Sequence, residues 1–119
     1  MTHRHHTLDY IEINVTDMTG AREFYGSAFG WEFADYGPTY SGIQGPDGEV
    51  GGLNGERQPG PGGPLVLLYS DDLDATVAAV EAAGGAIVEA PYDFPGGRRF
   101  HFADPGGNVL GVWTSPDAG

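Results

Sequence analysis

Residues 99 to 113 read Arg-Phe-His-Phe-Ala-Asp-Pro-Gly-Gly-Asn-Val-Leu-Gly-Val-Trp. Two alternating runs flank Asp104-Pro105-Gly106-Gly107-Asn108, a cluster of turn formers, and the pattern predicts a β-hairpin. An echo of it lies upstream, where Gly45 to Leu53 aligns on Asp104 to Val112 at an offset of 59, preserving the Pro, the second turn Gly, the Val, the inner Gly and the closing apolar residue. The chain therefore reads as two copies of one unit.

Working outward from the hairpins, Asp9 to Thr16 alternates, with Ile11, Ile13 and Val15 on one face and Tyr10, Glu12 and Asn14 on the other. Asp17 suits a helix N-cap. Met18, Ala21, Phe24, Tyr25 and Ala28 follow at the spacing of one buried helical stripe, and Gly30 fits a left-handed stop. Strands are expected over 31–36, 39–44 and 49–54, giving a β-α-β-β-β unit over about 8–55, with a Pro/Gly-rich linker over 56–64. The second unit, about 65–115, repeats the scheme: a strand over 65–70, an Asp72-capped helix with Leu73, Thr76, Val77 and Val80 buried, a Gly84-Gly85 stop and a strand over 86–89. A loop is expected over 90–98, ahead of the hairpin. Asp72 stands to Asp17, and Gly85 to Gly30, at an offset of 55. Residues 1–7, with His3, His5 and His6, read as a flexible arm.

Composition narrows the chemistry. The 119 residues suit one domain with a real core. Seventeen acids against five arginines give a net charge of −12, which repels phosphate backbones and anionic membranes, so neither nucleic acid nor a membrane is expected as a partner. The absence of Cys excludes thiol chemistry and disulfides, and the absence of Lys excludes a Schiff base. No run approaches a membrane span or a signal-peptide core, and a cytoplasmic location is expected.

A duplicated β-α-β-β-β unit with Asp-capped helices, a Gly-Gly helix stop and a terminal Asp-Pro-Gly-Gly-Asn hairpin resembles the vicinal oxygen chelate superfamily of glyoxalase-like lyases, extradiol dioxygenases, fosfomycin-modifying transferases and bleomycin-sequestering proteins. The resemblance implies an α+β fold in which two tandem units form a cup-shaped, barrel-like mixed sheet with the helices outside. It also implies a ligand enclosed by the cups, and a homodimer. Metal-bearing members carry ligands on the first and last strand of each unit, positions that fall here on Tyr10, Gly52, Leu65 and Gly111. Two glycines and a leucine offer no side-chain donor, so no metal and no other cofactor is expected.

The resemblance turns the Tyr10 face of the first strand inward, with Glu12 and Asn14, and the Gly111 face of the last strand, with Trp113. It also places His101 at a ligand-contacting position. Alternation then sends Phe100 and Phe102 to the core and Arg99 to the cavity rim. Glu12 and His101 are the candidate acid and base. Tyr10, Asn14, Tyr40, Gly52, Leu65, Leu67, Arg99, Gly111 and Trp113 are the candidate ligand-binding residues, with the glycines expected to leave room. Asp104 and Asn108 are assigned to turn geometry, and Arg98 to balancing local acids. These features suggest a metal-independent protein that binds a small aromatic or cationic molecule. The alternatives are a glyoxalase-like lyase or related enzyme using Glu12 and His101, and a structural module.

Overall fold

The computed structural model describes residues 3–60, 62–105 and 108–116. These divide into two compact units, the first spanning Tyr10–Leu65 and the second comprising residues up to Asp9 together with those from Val66 onward. Each is a β-α-β-β-β unit, and the fold is α+β, in agreement with the sequence.

In the first unit, β1 (Leu8–Asn14, begun by two residues that group with the second unit) leads into α1 (Met18–Phe29), then β2 (Phe33–Asp35), β3 (Tyr40–Gly45) and β4 (Gly48–Asn54). The strands lie in the order β2-β3-β4-β1, with β4 parallel to β1 and antiparallel to β3. Asp17 caps α1 by accepting the Gly20 backbone N–H at 3.0 Å, and Gly30 closes it at φ 73°. Beneath the helix lie Val15, Ile43 and Leu53, with Ile13, Met18, Ala21, Tyr25, Trp31 and Phe33 packed around them. The expected helical stripe is only partly buried, because Phe24 is 60% exposed and Ala28 faces outward; Ile11 of β1 is likewise exposed.

The second unit repeats this plan with β5 (Leu65–Tyr69, whose first residue groups with the first unit), α2 (Leu73–Ala82), β6 (Ala86–Phe94), β7 (Gly97–Ala103) and β8 (Val109–Thr114), in the order β5-β8-β7-β6. Asp72 caps α2 through the Ala75 N–H, and Leu73, Phe100 and Val112 form the core with Leu68, Val77, Val80, Ile87 and Phe102. The repeat extends to register. Glu12 lies opposite Gly52 as Leu67 lies opposite Gly111, and Gly42 faces Gly52 as His101 faces Gly111.

One expected loop is strand instead. Residues 90–98 continue β6 to Phe94 and then start β7 at Gly97. Pro91 is accommodated because β6 is the end strand of its unit's sheet, with register shifts on both sides of Glu89, and a strand at such a position tolerates a missing N–H. The hairpin turn after β7 closes as its Asp and Asn predict: Asn108 donates its backbone N–H and its side-chain Nδ2 to the Asp104 carboxylate at 2.9 and 3.1 Å. Gly106 and Gly107 lie outside the described residues. Within the N-terminal arm, His6 N–H donates to the Tyr69 carbonyl at 2.7 Å, and His3 stacks on Tyr69 and bonds Asp9.

Candidate functional site

Strand alternation gives each sheet an apolar face under its helix and a second face that carries the chemistry. On the first unit's second face, Glu12 is 2% exposed and accepts hydrogen bonds from Tyr40 Oη at 3.0 Å and Asn54 Nδ2 at 3.1 Å. A buried carboxylate is tolerable only with such donors. Tyr40 Oη lies 2.9 Å from Tyr10 Oη, which donates to Glu49 Oε2 at 2.7 Å, while Tyr36 Oη donates to Glu49 Oε1 at 2.6 Å. Burial, then the neighbouring Tyr40 and Glu49, push the Tyr10 phenol far above its ordinary pKa. Burial and the charge of Glu12 do the same to Tyr40, and the hydrogen bond to Glu49 raises Tyr36. Asn14 sits further along β1, its Nδ2 donating to the Gln58 carbonyl at 3.2 Å.

The glycines at the inner positions are not open space. A Cβ on Gly52 would collide with the Tyr40 hydroxyl, and one on Gly42 with the Glu49 carboxylate. The room expected at Gly52 is thus taken by a phenol. At Gly111 the equivalent room is taken by the Leu67 side chain, with the His101 ring beside it.

On the second unit's corresponding face, His101 and Arg99 are both buried. His101 Nδ1 lies 3.0 Å from Glu89 Oε2, and its Nε2 is 3.4 Å from Tyr92 Oη. Arg99 Nε donates to the same Tyr92 oxygen, and its guanidinium lies over the Tyr92 and Phe94 rings at 5.6 and 5.4 Å. Trp113 donates its indole N–H to Asp9 at 3.0 Å and packs edge-on against Tyr69 and His3. Arg98 pairs with Asp93 at 3.5 Å. A groove of about 390 Å³ at the start of α2, lined by Asp72, Asp74, Asp93, Phe94 and Arg98 among others, contains none of the candidate residues.

Within the first unit Glu12, Tyr10 and Tyr40 are linked by hydrogen bonds, and within the second His101 and Arg99 both approach Tyr92. The structure adds four residues that the sequence pattern does not mark: Tyr36, Glu49, Glu89 and Tyr92. Glu49 and Glu89 adjoin β-bulges, which turn a side chain to the face that strict alternation denies it. Once β3 and β4 are paired, the facing glycines Gly42 and Gly52 mark where side chains lie across the sheet.

The four positions that the family resemblance assigns to metal ligands do not offer the donors a divalent ion needs. Tyr10 is a phenol held protonated in hydrogen bonds, Gly52 and Gly111 are covered, and Leu65 has no donor atom. Among the described residues, no three His, Asp or Glu side chains are grouped so as to hold one.

The Mycobacterium tuberculosis protein "Putative glyoxylase CFP32" is 31% identical over 131 residues, a match that covers 95% of this chain and 47% of that protein. The anthracycline biosynthesis protein DnrV of Streptomyces peucetius is 29% identical, with 87% of this chain and 45% of DnrV covered. The chain thus spans about half the length of these curated relatives. Among solved structures, the Mn(II)-bound glyoxalase of Novosphingobium aromaticivorans superposes with a TM-score of 0.65 at 26% identity, covering 95% of this chain and 40% of that one. A variant of the Streptomyces coelicolor methylmalonyl-CoA epimerase, in complex with 2-nitronate-propionyl-CoA, shares the fold at a TM-score of 0.72 and 18% identity, covering 97% and 98%. The family model of the Glyoxalase/Bleomycin resistance protein/Dioxygenase superfamily matches residues 7–112, nearly the whole of the duplicated unit, and the chain belongs to that superfamily.

Proposed function

We propose that the protein binds a small organic molecule without a metal, on the polar sheet faces that carry Glu12 and His101. The observation that carries this reading is the replacement of the metal-ligand positions by a hydrogen-bonded phenol, two covered glycines and a leucine. The faces offer aromatic surface at Tyr10, Tyr40 and Trp113, and the net charge of −12 favours a cationic or neutral aromatic ligand over an anion. DnrV, a relative whose name places it in anthracycline biosynthesis, is in keeping with an aromatic ligand.

The test is metal content of untagged protein purified without chelator, followed by calorimetric titration with Zn²⁺, Ni²⁺, Mn²⁺ and Fe²⁺. The expected result is no stoichiometric binding. Near-stoichiometric metal that survives removal of residues 1–7 overturns the proposal.

A second reading, acid/base turnover of the ligand, is favoured by one specific pair of observations. Glu12 is a buried carboxylate with two donors, and His101 is a buried imidazole whose Nδ1 is oriented by Glu89. Glu12→Gln and His101→Ala discriminate the readings. Each abolishes turnover in an enzyme, whereas in a binding protein each changes affinity alone.

A further inference from the structure

The polar face of the first unit holds more short oxygen–oxygen contacts than it has hydroxyl protons. Four contacts join five groups in a line: Tyr36 to Glu49, Glu49 to Tyr10, Tyr10 to Tyr40, and Tyr40 to Glu12, at 2.6, 2.7, 2.9 and 3.0 Å. Each phenol brings one proton and an ionised carboxylate brings none. With Tyr36 and Tyr10 donating to Glu49 and Tyr40 donating to Glu12, two phenol oxygens face each other across 2.9 Å with no proton between them. One added proton completes the line, and it does so in two ways. On Glu49 it makes every bond from there run toward Glu12; on Glu12 it makes every bond run back toward Glu49. The two arrangements differ only in each proton crossing its own hydrogen bond.

The ends of the line are unlike. Glu12 is 2% exposed, whereas Tyr36 is 61% exposed and Glu49 is partly buried beside it. The line is also held in place from below, because Gly42 and Gly52 leave only the room that the Glu49 carboxylate and the Tyr40 hydroxyl occupy.

We propose that Glu49, Tyr10 and Tyr40 form a proton relay between solvent and the buried Glu12 carboxylate. A proton taken up at Glu49 is passed on as O–H bonds break at Glu49, Tyr10 and Tyr40 and form at Tyr10, Tyr40 and Glu12. One proton enters, one arrives, and nothing is oxidised or reduced. The phenols are left protonated, in keeping with the burial that resists their ionisation. Titratable groups that share the face, among the described residues of this unit, include Tyr10 and Glu12 on β1, Tyr36, Tyr40 on β3 and Glu49 on β4; α1, on the other face, brings Arg22 to Ser41 and Asp35. As a part of turnover, the relay rests on the acid/base reading of Glu12. In it, Glu49, Tyr10 and Tyr40 are positioning residues.

The experiment is a pH titration of the full chain with ¹³C-labelled glutamate, following the carboxyl carbons of Glu12 and Glu49 by NMR. In the wild type both resonances are expected to move together in the first protonation step, since the proton belongs to the pair. Tyr10→Phe removes one oxygen from the line, and the expected result is loss of the common step, with Glu12 and Glu49 shifting separately. Tyr40→Phe cuts the adjacent link and serves if the first variant does not fold. Separate steps in the wild type, or a common step that persists in both variants, overturn the relay. Glu12→Gln tests the acid/base reading by itself. A common step together with unaltered turnover in Glu12→Gln supports the relay and removes the catalytic reading; separate steps with an inactive Glu12→Gln remove the relay and leave that reading standing.

Discussion

Gly52 shows how much a missing side chain specifies. Its backbone is the floor on which the Tyr40 hydroxyl rests, so Gly52→Ala is expected to displace Tyr40 and weaken its bond to Glu12. Overpacking of this kind costs about 1–3 kcal/mol. Gly60→Ala is the control, since nothing lies within 4 Å of the Cβ it would add, and a change within about 0.5 kcal/mol is expected. Urea denaturation of the two variants checks both. The phenols make a second prediction. Folding raises the Tyr10 and Tyr40 pKa values above the ordinary value of 10.0, so the unfolded chain ionises first as pH climbs. The stability they contribute is therefore fully present below about pH 10 and is lost above it, at about 1.4 kcal/mol per pH unit for each phenol. Alkaline denaturation should show this decline, and Tyr10→Phe should flatten it. Phenolate absorbance compared between the wild type and Tyr10→Phe should show the Tyr10 phenol ionising only as the chain unfolds.

Among the elements, the helices were the most legible, because their caps are local. Asp17 and Asp72 each accept a backbone N–H three residues on, as the sequence pattern requires. Asp17→Ala and Asp72→Ala are expected to cost about 1 kcal/mol each, read as a fall in denaturation midpoint, with amide exchange accelerating first in the capped turn. The strands were less legible. Pro91 and the turn formers after it argued for a loop, and only the position of β6 at the end of its unit's sheet makes them compatible with pairing. The same limit hid Glu49 and Glu89. Their facing depends on bulges, and a bulge is a property of two strands in register, invisible in either one alone. By contrast, Phe100 and Phe102 went to the core and His101 and Arg99 to the other face, as alternation demands of a regular strand.

At the scale of the whole molecule, the duplication was legible because it is written twice, and the paired registers repeat it residue for residue. What occupies the two polar faces was not, since Tyr40 and Leu67 meet Gly52 and Gly111 only once the strands are paired. The charge balance also acts globally. With a net charge of −12, the folded chain repels itself more than the expanded one does, and salt screens that repulsion. The melting temperature is therefore expected to rise between about 10 and 150 mM NaCl, where the screening length falls from about 30 to about 8 Å. Scanning calorimetry across that range checks the prediction.

The covering of Gly52 and Gly111 also bears on descent. Replacing either glycine by a metal-binding Glu or His brings the new side chain into Tyr40 or Leu67, so the substitution alone is penalised before any ion can reward it. In either case a neighbouring side chain has to move, Tyr40 for a change at 52 and Leu67 for a change at 111. The two covered glycines thus weight any such path against a first step at 52 or 111.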